Sequence, residues 1–217
     1  MSRLHTILAS LPDIAAHFGV KPVPQVEHAD EMIEGNRGLV VRERHGRRVL
    51  QTMTWGFSRH TKVMRDAGEP VGRIGLVADL TNPMWEQIVV DPRYRCLIVL
   101  THFANPDGHQ GEKTRTWYAL ADESIMAWAG FCRNTPEFGP VYAGMTMTAN
   151  EVVGETNERM PVLLDPSEYD RWLHGSIRDV IEFQFREPIA ANRMAVIRTD
   201  DLWRSGRLPR QSQLPLS

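Results

Sequence analysis

From Arg95 to Phe103 the chain reads RCLIVLTHF, an unbroken apolar run between the polar segments DPRY and ANPDG. A run this short, closed off by turn-forming residues, is the pattern of a buried strand, well below the roughly 18 apolar residues a membrane span needs. A buried strand cannot leave its backbone polar groups unpaired, so other segments must supply its neighbours. Several candidates exist. GLVVRERHGRRVLQTMTWGF contains two strand-like runs around His45-Gly46, the arrangement of a β-hairpin. NPDGHQGEK is a turn leading into a further strand, TRTWYALA, and SIMAWAGFC and VYAGMTMTA predict two more.

Helical signals are fewer. The opening LHTILASLPDIAAHFGV places Leu4, Ile7, Leu8, Leu11, Ile14, Ala15 and Phe18 at helical spacing, interrupted by Pro12, and predicts a short helix stopping at Gly19. PMWEQIVVDPRY predicts a second helix starting near Pro83 and stopping before Pro92. In DPSEYDRWLHG, Asp165 is an N-cap, Pro166 the first helical residue, Glu168 the partner in a capping box, and Gly175 the stop. The polar stretch from Ser58 to Arg73 reads as a surface loop, and the Pro- and Ser-rich residues after Arg204 as a tail lying on or fraying from the surface. These elements predict an α+β fold: a single compact β-rich domain with a few short helices over residues 1–204, followed by a C-terminal tail, 205–217.

With 217 residues, 42% of them hydrophobic, the chain can bury one sizeable core. Its formal net charge of -2 gives no global electrostatic reason to bind nucleic acid, although a local basic groove fits inside a balanced total. Cys96 and Cys132 sit in apolar surroundings and are too few for a disulfide framework, which predicts core thiols in a reducing, cytoplasmic compartment. The N-terminus lacks the pattern of a signal peptide. No glycine-rich phosphate loop, nucleophile elbow, paired-histidine zinc motif or calcium loop is present, so no metal and no cofactor is expected. His102 and His109 flank a predicted turn and would need a third ligand to hold a metal. The basic tip RERHGRR reads as a solvated turn, and most of the six tryptophans, Trp128 among them, as core.

Taken in order, IAAHFGV, VVRERHGRRVLQTMTWGF, RCLIVLTHF, MTMTANEVV and ERMPVLLDPSEYDRWLHG resemble successive segments of the SOS-response-associated peptidase family, whose members process abasic sites in single-stranded DNA. The resemblance implies that family's β-rich fold. It also implies a site built on a cysteine at position 2, whose amine and thiolate capture the abasic aldehyde, together with an asparagine, a glutamate and a histidine. At the matching positions this chain has Ser2, Gly75, Asn105 and Asn157, the last followed by Glu158 in place of the family's aspartate.

With all four chemical positions replaced on a retained scaffold, crosslinking chemistry is expected to be lost or weakened and single-stranded or abasic-site DNA to remain the partner. Arg159, Thr146, Thr148, Gly75, Arg59 and Lys62 are the candidate DNA contacts. A free Ser2 amine still offers an imine-forming nucleophile, with Glu158 or His102 as proton shuttle, which is the enzymatic alternative. A peptide- or protein-binding module using the old groove is the third reading. For Arg159 the competing structural expectation is an ion pair with Glu155 or Asp165.

Overall fold

In the computed structural model, which describes residues 4–209, the chain opens with β1 (Leu4–Thr6), α1 (Leu11–Phe18), β2 (Glu31–Met32) and the hairpin β3 (Arg37–Arg44) and β4 (Arg47–Trp55). There follow β5 (Phe57–Arg59), α2 (Lys62–Asp66), β6 (Gly72–Ile74), β7 (Leu76–Val77), α3 (Glu86–Val90), β8 (Arg95–Leu100), β9 (His102–Asp107) and β10 (Thr114–Leu120). The second half holds β11 (Met126–Thr135), β12 (Gly139–Thr148), α4 (Glu151–Gly154), β13 (Arg159–Pro161), β14 (Leu163–Leu164), α5 (Tyr169–His174), α6 (Ile177–Phe185) and β15 (Met194–Leu202). The expected α+β class, rich in strands with short helices, is what the chain adopts.

Two sheets organise these strands. In the larger, β12, β4, β3, β8 and β11 pair in that order and a β11–β12 pairing closes the ring, so these five strands have no free edge between them. The β4–β12 contact is parallel, joining Thr54 and Trp55 to Val141 and Tyr142. Inside the ring Trp55 meets Trp128 across strands that are not neighbours, at 5.9 Å between centroids, and stacks on Tyr142 at 6.3 Å. Glycine makes room for this aromatic set: a Cβ on Gly144 would overlap the Trp128 ring. The smaller sheet runs β15-β10-β9-β1-β2. One of its faces carries Phe103 and Tyr118 into the main core, and the other carries Leu4, Ala104 and Trp117, against which Ile197, Trp203 and Leu208 pack. Arg115 ties the stretch beyond β15 to this face by donating to the carbonyls of Trp203 and Arg207.

The hairpin at His45-Gly46 forms as expected. Both residues have positive φ, 51° and 70°, the left-handed pair a two-residue type I′ turn requires. Cys96 and Cys132 are buried and unbridged, and Trp128 is 1% exposed, also as expected. The Asp165–Glu168 capping box is present; it opens one 3-10 turn, Pro166–Glu168, that runs directly into α5. No helix among the described residues is long and apolar enough to cross a membrane.

Elsewhere the local pattern is overridden. The opening helix begins at Leu11 rather than Leu4, because Leu4–Thr6 is drawn into β1 between β9 and β2. Ser10 then caps the helix through Asp13 N–H, and Pro12 lies in its first turn, where a missing N–H costs nothing. Gly19 stops it in the left-handed conformation, φ 67°. The run RCLIVLTHF is two strands: β8 belongs to the ring and β9 to the smaller sheet, and the chain changes sheet at Thr101, whose N–H and hydroxyl both bond the Thr6 carbonyl. The polar stretch Ser58–Arg73 is structured, with Thr61 capping α2 and β5 pairing β6, while Phe57 is anchored edge-on against Trp85 at 5.2 Å. Neither α6, begun by a Ser176–Asp179 capping box, nor β15 is signalled strongly enough in the sequence to be assigned from it.

Candidate nucleic-acid interface

Strand β9 alternates its side chains, so Phe103 and Asn105 share one face while His102 and Ala104 share the other. Asn105 is fully buried and donates through Nδ2 to Thr156 Oγ1 at 3.1 Å. The Thr156 hydroxyl lies 2.7 Å from the Tyr118 hydroxyl and 3.2 Å from the Val153 carbonyl. Thr156 follows α4, a single turn that Asn150 caps by accepting from Val153 N–H at 3.0 Å. Burial raises the Tyr118 phenol above its ordinary range, so it is a neutral hydroxyl. Asn105 Oδ1 is buried without a hydrogen-bond partner. An amide here holds Thr156 in place, but it has no ionisation with which to accept or release a proton near neutral pH.

From Thr156 the chain reaches the segment that carries the other candidates. Asn157 turns inward and accepts the Arg159 N–H through Oδ1 at 3.1 Å, and Glu158 is exposed, its carbonyl accepting from Ala149 N–H. Arg159 opens β13 opposite Thr148. Its guanidinium donates to the Thr146 carbonyl and hydroxyl and to the Ala78 carbonyl, and it makes no ion pair among the described residues. The expected pairing with Glu155 or Asp165 does not form: Arg198 takes Glu155 and Arg193 takes Asp165. Thr146 is buried under this guanidinium and Thr148 is exposed.

Gly75 precedes β7. Its N–H donates to Glu34 Oε1 at 2.9 Å and its carbonyl accepts from Trp55 Nε1 at 2.8 Å. A Cβ placed on Gly75 would lie 2.8 Å from the Glu34 carboxylate and 2.9 Å from Trp55 Cδ1, so side chains from elsewhere fill the space that a larger residue here would need. His5 lies against the same tryptophan, 4.8 Å from the Trp55 ring and 5.8 Å from Trp128. Its buried imidazole has no polar partner, and desolvation pushes its pKa down to about 3.

The structure thus brings Asn105 to Thr156, which precedes Asn157 and Glu158 in the chain, and gathers Arg159 with Thr146, Thr148 and the Ala78 carbonyl immediately after Val77. Arg59 and Lys62 stand apart on β5 and α2, both exposed. His102 lies on the face of β9 opposite Asn105, where it contacts the Thr6 and Thr101 hydroxyls at 3.2 Å and the edge of Trp117, and burial lowers its pKa to about 4. It therefore faces away from Asn105. Ser2 lies outside the described residues. No group of three His, Cys, Asp or Glu side chains that could hold a metal occurs among the described residues, His102 and His109 included. Thr156, Tyr118, Glu34 and His5 were not singled out from the sequence; each is brought in by a contact that spans tens of residues.

The family model described as "SOS response associated peptidase (SRAP)" matches residues 3–201. The chain belongs to this family. Among solved structures, SRAP-fold relatives of this chain include a protein from Bordetella bronchiseptica with TM-score 0.74 and 19% identity, covering 90% of this chain and 98% of that one. A protein from Bacteroides thetaiotaomicron has TM-score 0.71 and 17% identity, covering 91% of this chain and 93% of that one. A phage-related protein from B. bronchiseptica has TM-score 0.68 and 14% identity with the same coverages. At these identities the likeness is one of fold. No curated protein matches the chain. SRAP membership places the chain, at the level of the family, among SOS-associated proteins of the abasic-site-processing type.

Proposed function

We propose that this SRAP protein binds single-stranded or abasic-site DNA with the family's crosslinking chemistry lost or weakened. The observation that carries the reading is Asn105: where the family resemblance places a glutamate, a buried amide is tied to Thr156. Asn157 supports it, because its side chain is committed to the Arg159 N–H in the turn where the resemblance places a histidine. Arg159 supports retained binding. A guanidinium held only by neutral acceptors keeps its positive charge for a phosphate, although burial lowers its pKa. Thr148 on β12, with Arg59 and Lys62 further out, would extend such a contact.

A second reading stays attached to Ser2. An α-amino group there could condense with the ring-opened abasic aldehyde, expelling water and leaving an imine that borohydride reduces to a stable amine. The experiment incubates the Met1-processed protein with single-stranded DNA carrying one abasic site, with and without borohydride, on a denaturing gel. The binding reading expects no covalent species in either lane and a salt-sensitive complex on a native gel. A band shifted only with borohydride establishes imine chemistry at Ser2. The absence of any complex at low salt overturns DNA binding and favours a protein or peptide ligand.

A further inference from the structure

Helices α3 and α6 pack against each other and leave an apolar groove of about 710 Å³ between them. α6 turns Val180 and Phe183 into the core, while Ile177, Ile181 and Phe185, spaced at i, i+4 and i+8, line the groove. Val89 and Val90 of α3, with Leu80 before it, complete the apolar lining. Phe185 is 77% exposed, Val90 54% and Ile181 46%. The other large exposed apolar side chains among the described residues, Val23, Ile33, Val63 and Leu202, line no part of this groove. Apolar side chains scattered singly over a surface are ordinary, but three gathered in one groove mark a contact site.

Charge and backbone pairing decide what fits there. Asp79 and Glu86 are the charged residues in the lining, and no cation stands with them. Asp79 accepts from the Thr81 hydroxyl and N–H at 2.7 and 2.9 Å, which lowers its pKa and fixes its carboxylate at the rim. On the flank of α6, outside the lining, Glu182 is taken by Arg171 and Arg178 is exposed. Two negative charges and no positive one within the lining oppose a nucleic-acid strand and favour a cationic partner. An extended peptide would need main-chain partners, yet the Ala78 carbonyl at the edge of the groove already accepts from Gln184 and Arg159. A helix satisfies its own backbone and presents side chains alone, the mode that an apolar groove between helices receives.

We infer that the α3–α6 groove is the docking surface for a basic amphipathic helix of another protein. Apolar residues of that helix at i, i+3 or i+4, and i+7 seat against Val90, Ile181 and Phe185, and Lys or Arg beside them face Asp79 and Glu86. The inference does not rest on the DNA reading: the charges that would hold this partner have the opposite sign to Arg159.

Fluorescence anisotropy with the full chain uses three labelled peptides of about 18 residues, long enough to form a helix. One has Leu at helical spacing with Lys elsewhere, the second has Glu in place of Lys, and the third has the composition of the first without its periodicity. The expected result is saturable binding of the first peptide alone, weakened by salt. Phe185→Ser and Ile181→Ser, both at exposed positions, should each weaken it at least about tenfold, as the loss of an apolar anchor does. Glu86→Gln should weaken it less and flatten its salt dependence, and Val63→Ser, exposed on α2, should leave it unchanged. Equal binding of the Glu peptide or the aperiodic peptide would overturn the proposal. So would wild-type affinity in Phe185→Ser and Ile181→Ser, or no binding at about 1 mM, the weak end of specific affinities. Self-association of the wild type that Phe185→Ser abolishes, read by sedimentation equilibrium, would assign the groove to a second copy of the chain instead. Loss of affinity for a labelled single-stranded oligonucleotide in Phe185→Ser would assign it to nucleic acid, and either outcome overturns the proposal. Thermal melting confirms that each variant is folded, and Ile181→Ser supplies the test if Phe185→Ser is not.

Discussion

The backbone N–H of Gly75 donates to the Glu34 carboxylate at 2.9 Å, across 41 residues of sequence. With Trp55 on the other side, Glu34 occupies the space beside Gly75 that a side chain at 75 would require. Gly75→Asn should therefore lower stability by about 1–3 kcal/mol, the usual cost of overpacking. Urea denaturation with an unchanged slope would read it. A variant as stable as the wild type would show that Glu34 and Trp55 yield easily, and the idea of a filled slot would fail.

Asn105→Asp tests the buried amide. A carboxyl at this position has Thr156 as neighbour and no cation among the described contacts, so its folded-state pKa should rise. A raised carboxyl pKa removes stability above the ordinary carboxylate range and leaves it intact below. The stability gap between variant and wild type should be a few kcal/mol at pH 7 and shrink toward pH 4. A gap that is the same at both pH values would contradict this.

His5 and His102 give the wild type its own acid sensitivity. Burial holds both imidazoles neutral, with pKa values of about 3 and about 4 against 6.5 unfolded. Between those values the unfolded chain binds more protons than the folded one. Their contribution is thus complete above pH 6.5 and falls away as the pH drops through 6.5 toward 4. The thermal midpoint should decline across that window, and His102→Gln should flatten the decline. An identical pH profile in that variant would remove His102 from the account.

Arg159→Gln tests the retained binding. If Arg159 contacts a phosphate, affinity for single-stranded DNA should drop at low salt and the log–log salt slope should shrink by about 0.7, the value for one phosphate contact on a single strand. The same substitution should cost about 1–3 kcal/mol of stability, because the Thr146 and Ala78 carbonyls lose a charged donor. Unaltered affinity and salt slope in a folded variant would make the role of Arg159 structural alone.

Patterns that act over a few residues were legible in the sequence. Positive φ at His45-Gly46, the Asp165–Glu168 capping box, the Gly19 stop and the core strands all follow from local chemistry. Tertiary structure alone decided which sheet each strand joined. Leu4–Thr6 reads as helix by spacing but gains more by pairing with β9 and β2, and the apolar run 95–103 divides at Thr101 because its two halves find different partners. The Tyr118–Thr156–Asn105 contacts and the Glu34–Gly75 bond join residues far apart in the chain. Such meetings are set by how the ring closes and the sheets pack, and a neighbour tens of residues away leaves no periodic mark on the local sequence.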